Sequence, residues 1–304
     1  MAEEQQELIT GEQLHKKLEE VLETWPLYRR LEYKGAENFD KLPADIWLYC
    51  RVCDGLQRWT RETPGVRIRA VGAPTVVTHR GGDFRTVSYH CANCKPSSRL
   101  VTRFFFFWGW NAEQKSGSFL KAGQFPPPDE RVPTTLENRL DKDDLELYKN
   151  AIRLRNHNLG IGAVAYLRRV VENRINDLLD VLADIAREQS FAAEELCEVE
   201  KVKKSHRFDD KIDYAAKLLP PHLKPKGMPN PIDKLHELTS DGLHSKTEAE
   251  CVEIFDRVRT VFEYVFGNLH GATEAAKEFV RSLGGLVSSP QEKAAKKVAP
   301  EEEL

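Results

Sequence analysis

FRTVSYHCANC, Phe84 to Cys94, joins a run of β-branched and aromatic residues to two cysteines three positions apart. The run reads as a strand, because such side chains fit a pleated, half-buried surface. The cysteine pair reads as a turn that can present two sulfurs to one ion. Working outward, VRIRAV, TVVTH and RLVTRFFFFW share the strand texture, and Pro64-Gly65, Gly72-Ala73-Pro74 and Gly81-Gly82 break it. Residues from about Trp47 to Trp110 therefore predict a small antiparallel β module. A second pair, Cys50 and Cys53, lies near its start.

Together, Cys50, Cys53, Cys91 and Cys94 predict a tetrahedral thiolate site for one Zn2+ ion. Reduced thiols or a redox C-x-x-C pair are the alternatives. The 37 residues between the pairs exceed the roughly 15–20 of the commonest two-pair motif, as they would if a hairpin or more lay between the knuckles. His90, beside Cys91, could replace one thiolate, and His79 is a weaker alternative. Four protein ligands leave no position for water or substrate, so this zinc is read as structural. Cys197 and Cys251 lie alone on helical faces and are read as core residues.

The total charge of −3 hides an asymmetry. Arg51 to Arg103 contains ten Lys or Arg against Asp54, Glu62 and Asp83, a net +7, which leaves −10 for the rest. A basic β surface interleaved with Trp59, Phe84, Tyr89 and Trp108 suits RNA or DNA, since arginines neutralise phosphates and exposed rings stack on bases. The candidate contacts are Arg67, Arg69, Arg80, Arg85, Arg99 and Arg103. Arg67 and Arg69 share one strand face by alternation, as do Arg99 and Arg103. The plainer alternative is that these arginines are an ordinary wet face, with the phenylalanine run filling a seam against the helices.

Around this module the chain reads as helical. Residues 1–45 form an N-terminal helical segment, with Leu14, Leu18, Val21, Leu22 and Trp25 on one face and Pro26 as its stop. The β module occupies 46–124, and a proline-rich linker with FPPPDERVP occupies 125–140. Residues 141–284 form a helical bundle. Its long members run over about 161–188 and 247–269 and pack together, surrounded by shorter ones near 145–155, 208–219 and 231–238. The tail, 285–304, is poor in apolar residues and reads as disordered. No apolar run approaches the roughly 20 residues that a bilayer requires. With an acidic N-terminus, MAEEQQELIT, a cytoplasmic location is the expectation and no membrane partner is foreseen.

GIGAVAYLRRVVENRINDLL (Gly160 to Leu179) and HELTSDGLHSKTEAECVEIF (His236 to Phe255) resemble a helical bacterial domain of unknown function grouped with the HEPN superfamily. The resemblance covers about half the chain, Leu140 to Leu283. It implies a bundle of four or five helices, often dimeric, that occurs with phage-defence and toxin–antitoxin systems. Active members are metal-independent ribonucleases with an R-x(4–6)-H motif. His244 takes the histidine position, but Glu237, Leu238 and Thr239 stand where the arginine belongs. A ribonuclease reading therefore makes His244, Arg169 and Glu172 the catalytic candidates, with Arg168 or Arg169 supplying the cation. The competing view is a structural network, in which Arg169 pairs with Glu172, Asp241-Gly242 makes a bend, and Ser245 or Thr247 caps the next helix through Glu248 or Glu250.

The fold expected from sequence is α+β, an N-terminal antiparallel β zinc-ribbon module followed by an all-α HEPN-like helical bundle. The expected function is a non-catalytic nucleic-acid-binding or regulatory protein. A ribonuclease using His244 and a scaffold that forms a homodimer through the bundle are the alternatives.

Overall fold

The computed structural model describes residues 7–8, 11–35, 42–62, 82–188, 193–219, 227, 229–240 and 246–287. They form β1 (Glu7–Leu8), α1 (Gly11–Glu23), β2 (Arg30–Lys34), β3 (Asp45–Cys50), β4 (Gly55–Arg61), β5 (Gly82–Cys91), β6 (Val101–Asn111) and β7 (Ser116–Phe125). Helices follow: α2 (Thr134–Glu137), α3 (Lys142–Asn156), α4 (Gly160–Glu188), α5 (Ala193–Lys203), α6 (Phe208–Leu218), α7 (Pro231–Ser240) and α8 (Glu248–Val287). The chain divides into two compact units. One is Met1–Glu130 with Ile152–Ala163 and Thr247–Val252, and the other is Arg131–Ala151, Val164–Lys246 and Glu253–Leu304.

The first unit overturns the expected small zinc ribbon followed by an all-α HEPN-like bundle. It holds one seven-stranded sheet, in the order β1-β2-β7-β6-β5-β4-β3, antiparallel throughout except for β1 beside β2. The sheet also takes in helical partners: α1, the end of α3 and the first turns of α4 and α8 belong to the same unit. Two strands explain the misreading. In β2, RLEYK, only Leu31 and Tyr33 turn inward, between three exposed or half-exposed charges. In β7, Gly117, Phe119 and Lys121 face the interior, and neither glycine nor lysine registers as an apolar beat.

One face of the sheet packs on α1. Leu14, Leu18, Val21 and Leu22 join Tyr33, Ile46, Trp59, Tyr89, Phe104, Phe106 and Phe119 in a single core. The phenylalanine run is split by the pleat: Phe104 and Phe106 are buried, while Phe107 keeps 48% of its surface. The Tyr33 ring fills the space where a Cβ on Gly117 would stand, and its hydroxyl is pinned by a hydrogen bond from Trp108 Nε1 at 2.9 Å.

Lys121 is the buried cation of this core. Its Nζ donates to the carbonyls of Val21 and Leu22 at 2.8 and 3.4 Å, in the last turn of α1, and lies 5.8 Å from the Phe104 ring centroid. Those carbonyls favour the ammonium, but burial, and then Arg155, lower its pKa to about 7. The unfolded lysine titrates near about 10.4, so between these values the unfolded chain binds more protons and stability rises with pH. Below the folded value both states are charged and the contribution is flat. Urea unfolding of the protein and of Lys121→Met at neutral and alkaline pH should show the native chain gaining on the variant by roughly 4 kcal/mol. Parallel curves would contradict this account of Lys121.

In the second unit, α4 buries Leu167, Val170, Val171, Ile175, Leu178 and Leu182, and α8 buries Phe255, Val258, Phe262 and Val265, the stripes read from sequence. The Tyr148 ring lies 5.3 Å from Phe262, and its hydroxyl donates to Glu263 at 2.7 Å. Arg174 gathers three carboxylates, Asp141 and Asp144 at 2.5 Å and Asp177 at 2.7 Å. Asp141 also accepts the backbone N–H groups of Asp143 and Asp144 at the start of α3, and the Asp144 N–H first, then Arg174, lowers its pKa. No helix among the described residues is long and apolar enough to cross a membrane.

Candidate metal centre

Two strand ends build the centre. Cys50 closes β3 and Cys53 lies in the turn to β4, where Asp54 takes a left-handed conformation (φ 49°) before Gly55. Cys91 closes β5 and Cys94 lies in the turn that follows. The paired registers Trp59 with Cys91 and Cys50 with Gly55 bring these turns to one end of the sheet. Ala92 N–H donates to Arg58 O at 2.9 Å and Cys91 N–H to Leu100 O at 3.1 Å, fixing the second turn.

All four sulfurs lie within 4.8 Å of one another. Cys50 to Cys94 is 3.5 Å, Cys53 to Cys94 is 3.6 Å and Cys53 to Cys91 is 3.9 Å. Four thiolates about 2.3 Å from a common ion stand about 3.8 Å apart at tetrahedral angles, so the spacing suits a metal and is far beyond a disulfide bond of about 2 Å. Cys50, Cys91 and Cys94 are buried and Cys53 is half-buried.

Burial and crowding set the protonation preferences of these thiols. Burial, then the neighbouring thiols, push Cys53 up to about 12. Burial also raises Cys50, against backbone N–H donors from Cys53 and Val52. The Leu100 N–H, followed by S–H donation from Cys50, Cys53 and Cys91, lowers Cys94. Burial and the neighbouring thiols thus oppose ionisation of Cys50 and Cys53. A divalent cation would let all four ionise. His90 takes no part: the pleat turns it away from Cys91, and its Nδ1 lies 3.9 Å from Glu62. Cys251 is buried on α8, as expected of a core residue.

The other candidates are more dispersed. Arg67, Arg69, Arg80 and His79 lie outside the described residues, as do His244, Asp241, Gly242, Ser245 and the tail from 288. Arg103 is exposed on β6 and its Nε donates to Ser88 Oγ at 3.2 Å. Arg99 does not share its strand, since a short 3-10 turn over Pro96–Ser98 precedes it and β6 begins at Val101. Arg85 turns inward, its guanidinium 5.2 Å from the Trp108 ring centroid. Trp59 and Tyr89, read as possible stacking rings, are buried in the core. Glu172 bonds Arg168 at 2.8 Å and lies 3.9 Å from Arg169, whose side chain is 66% exposed. The capping box proposed for the last helix is present on Thr247: its hydroxyl accepts Glu250 N–H at 3.3 Å, and its own N–H donates to the Glu250 carboxylate at 2.8 Å. Glu248 instead accepts Ile161 N–H at 2.9 Å and so caps α4.

No protein-family model, curated protein or solved structure matches this chain.

Proposed function

We propose that this chain is a nucleic-acid-binding protein whose sheet is braced by a structural Zn2+ ion on Cys50, Cys53, Cys91 and Cys94. Four soft thiolates in a closed set suit zinc and leave it no open position for catalysis. The observation that carries the nucleic-acid reading is the placement of cations around the sulfur turns. Arg51, Arg58, Lys95, Arg99 and Arg103 are all exposed, on the two turns and the strands that leave them. Arg51 has Asp129 at 3.5 Å, a long, solvent-exposed pair of little strength. A phosphate backbone is the partner that such a cluster meets with charge to spare.

Fluorescence anisotropy of labelled RNA and DNA, single-stranded and duplex, tests this from about 50 to about 200 mM salt. Binding should weaken steeply, with a log–log slope of about −0.7 for each phosphate neutralised on a single strand. Replacing Arg51 and Arg99 with glutamine should flatten the slope by one to two such steps. Absence of binding at the lowest salt would contradict the reading.

A further inference from the structure

The face of the sheet opposite α1 carries a cluster of rings that the core does not use. Phe84 on β5 stands opposite Phe107 on β6, their ring centroids 5.1 Å apart. Phe105, two residues along β6, lies 6.4 Å from Phe84 with the rings nearly parallel, 13° between planes. Phe125 ends β7 opposite Arg103. Phe84, Phe107 and Phe125 keep 49%, 48% and 68% of their surface, although β5, β6 and β7 are interior strands of the sheet. Gly123 is the β7 partner of Phe105, and the Phe105 ring packs against it, 3.4 Å from where a Cβ would stand.

We infer that this face is a stacking platform for single-stranded nucleic acid, an inference that rests on the nucleic-acid reading above and specifies the substrate class. Charge favours this occupant over an apolar protein surface. Arg103 borders the rings, with Arg58 exposed on β4 of the same face. Rings beside cations match bases beside phosphates, because each base has a π-face while the backbone supplies the charge. A duplex buries its base faces by stacking and pairing, so it can use the cations but not the rings.

Anisotropy with single strands of about 12 nucleotides, against a duplex of the same sequence, tests the platform in the full chain. Phe84→Thr and Phe107→Thr should each weaken single-strand binding roughly tenfold and leave duplex binding unchanged. Phe107→Tyr should bind as the native protein does, and thermal unfolding of each variant checks that the sheet is intact. If the native protein binds single strands and both threonine variants bind equally well, the platform is wrong while the nucleic-acid reading stands. The same holds if duplex binding falls in parallel. If the threonine variants instead convert a dimer to a monomer in sedimentation with nucleic-acid binding unchanged, the face belongs to a second copy, and the platform is again overturned. A native protein that binds no nucleic acid overturns both.

Discussion

Replacing Cys91 with serine, or removing the metal with a strong thiol-competent chelator, will lower the thermal midpoint of the sheet unit by about 8–16 °C. The magnitude follows from what a bound ion would connect. The cysteines are separated by 38 to 44 residues across the two turns, so an ion held by all four would close a loop of about 40 residues, which by the entropy of a covalent cross-link would contribute about 4 kcal/mol. For a domain of this size each kcal/mol shifts the midpoint by about 2–4 °C. The sheet should not collapse outright. Tyr33, Trp59, Tyr89, Phe104, Phe106 and Phe119 pack on α1 without the ion, whereas a small ribbon would have little core beyond its metal. Differential scanning calorimetry of the native, chelated and Cys91→Ser proteins measures this. Identical midpoints would mean that no cross-link exists.

The second large effect concerns a glycine. At Gly160, the first residue of α4, a Cβ would run into the backbone of α8 at Glu248 O and Val252 N, and would lie 2.8 Å from the carbonyl carbon of Cys251. Backbone held in a helical turn cannot swing aside, so Gly160→Ala must part the two helix starts and disturb the Ile161 to Glu248 bond with them. Overpacking of this kind costs about 1–3 kcal/mol or more, which exceeds the helix propensity that alanine gains. Gly162→Ala is the internal control. Its nearest obstacle is the end of the Leu154 side chain at 3.1 Å, a group that can rotate, so this variant should be neutral or slightly more stable. Urea unfolding of both variants decides it: equal stabilities would show that the contact at Gly160 is not tight.

The cysteine cluster was legible because its chemistry is local. Two thiolates three apart on a turn form half a site wherever they occur, and pairing of β4 with β5 only had to bring the halves together. The span of α4 was legible for a related reason, since its apolar beats recur at the helical period over many turns, whereas α8 runs on to Val287, beyond the expected end near 269, and α5 was not foreseen. The extent of the sheet was not. The inward beats of β7 include Gly117, which is small because Tyr33 occupies its space, and Lys121, which is buried because the end of α1 supplies acceptors. Both choices make sense only with a partner from elsewhere in the chain. The ring-bearing face was half legible. Four consecutive phenylalanines must alternate on a strand, so two of them had to face away from the core, but only the register with Phe84 shows that the outward rings form a cluster.

X-ray absorption at the zinc edge, with elemental analysis of the purified full chain, tests the central claim most directly. One zinc per chain with four sulfur neighbours at about 2.3 Å is the result expected of Cys50, Cys53, Cys91 and Cys94. A folded protein that carries no metal, or a zinc whose nearest neighbours are nitrogen and oxygen, would contradict it.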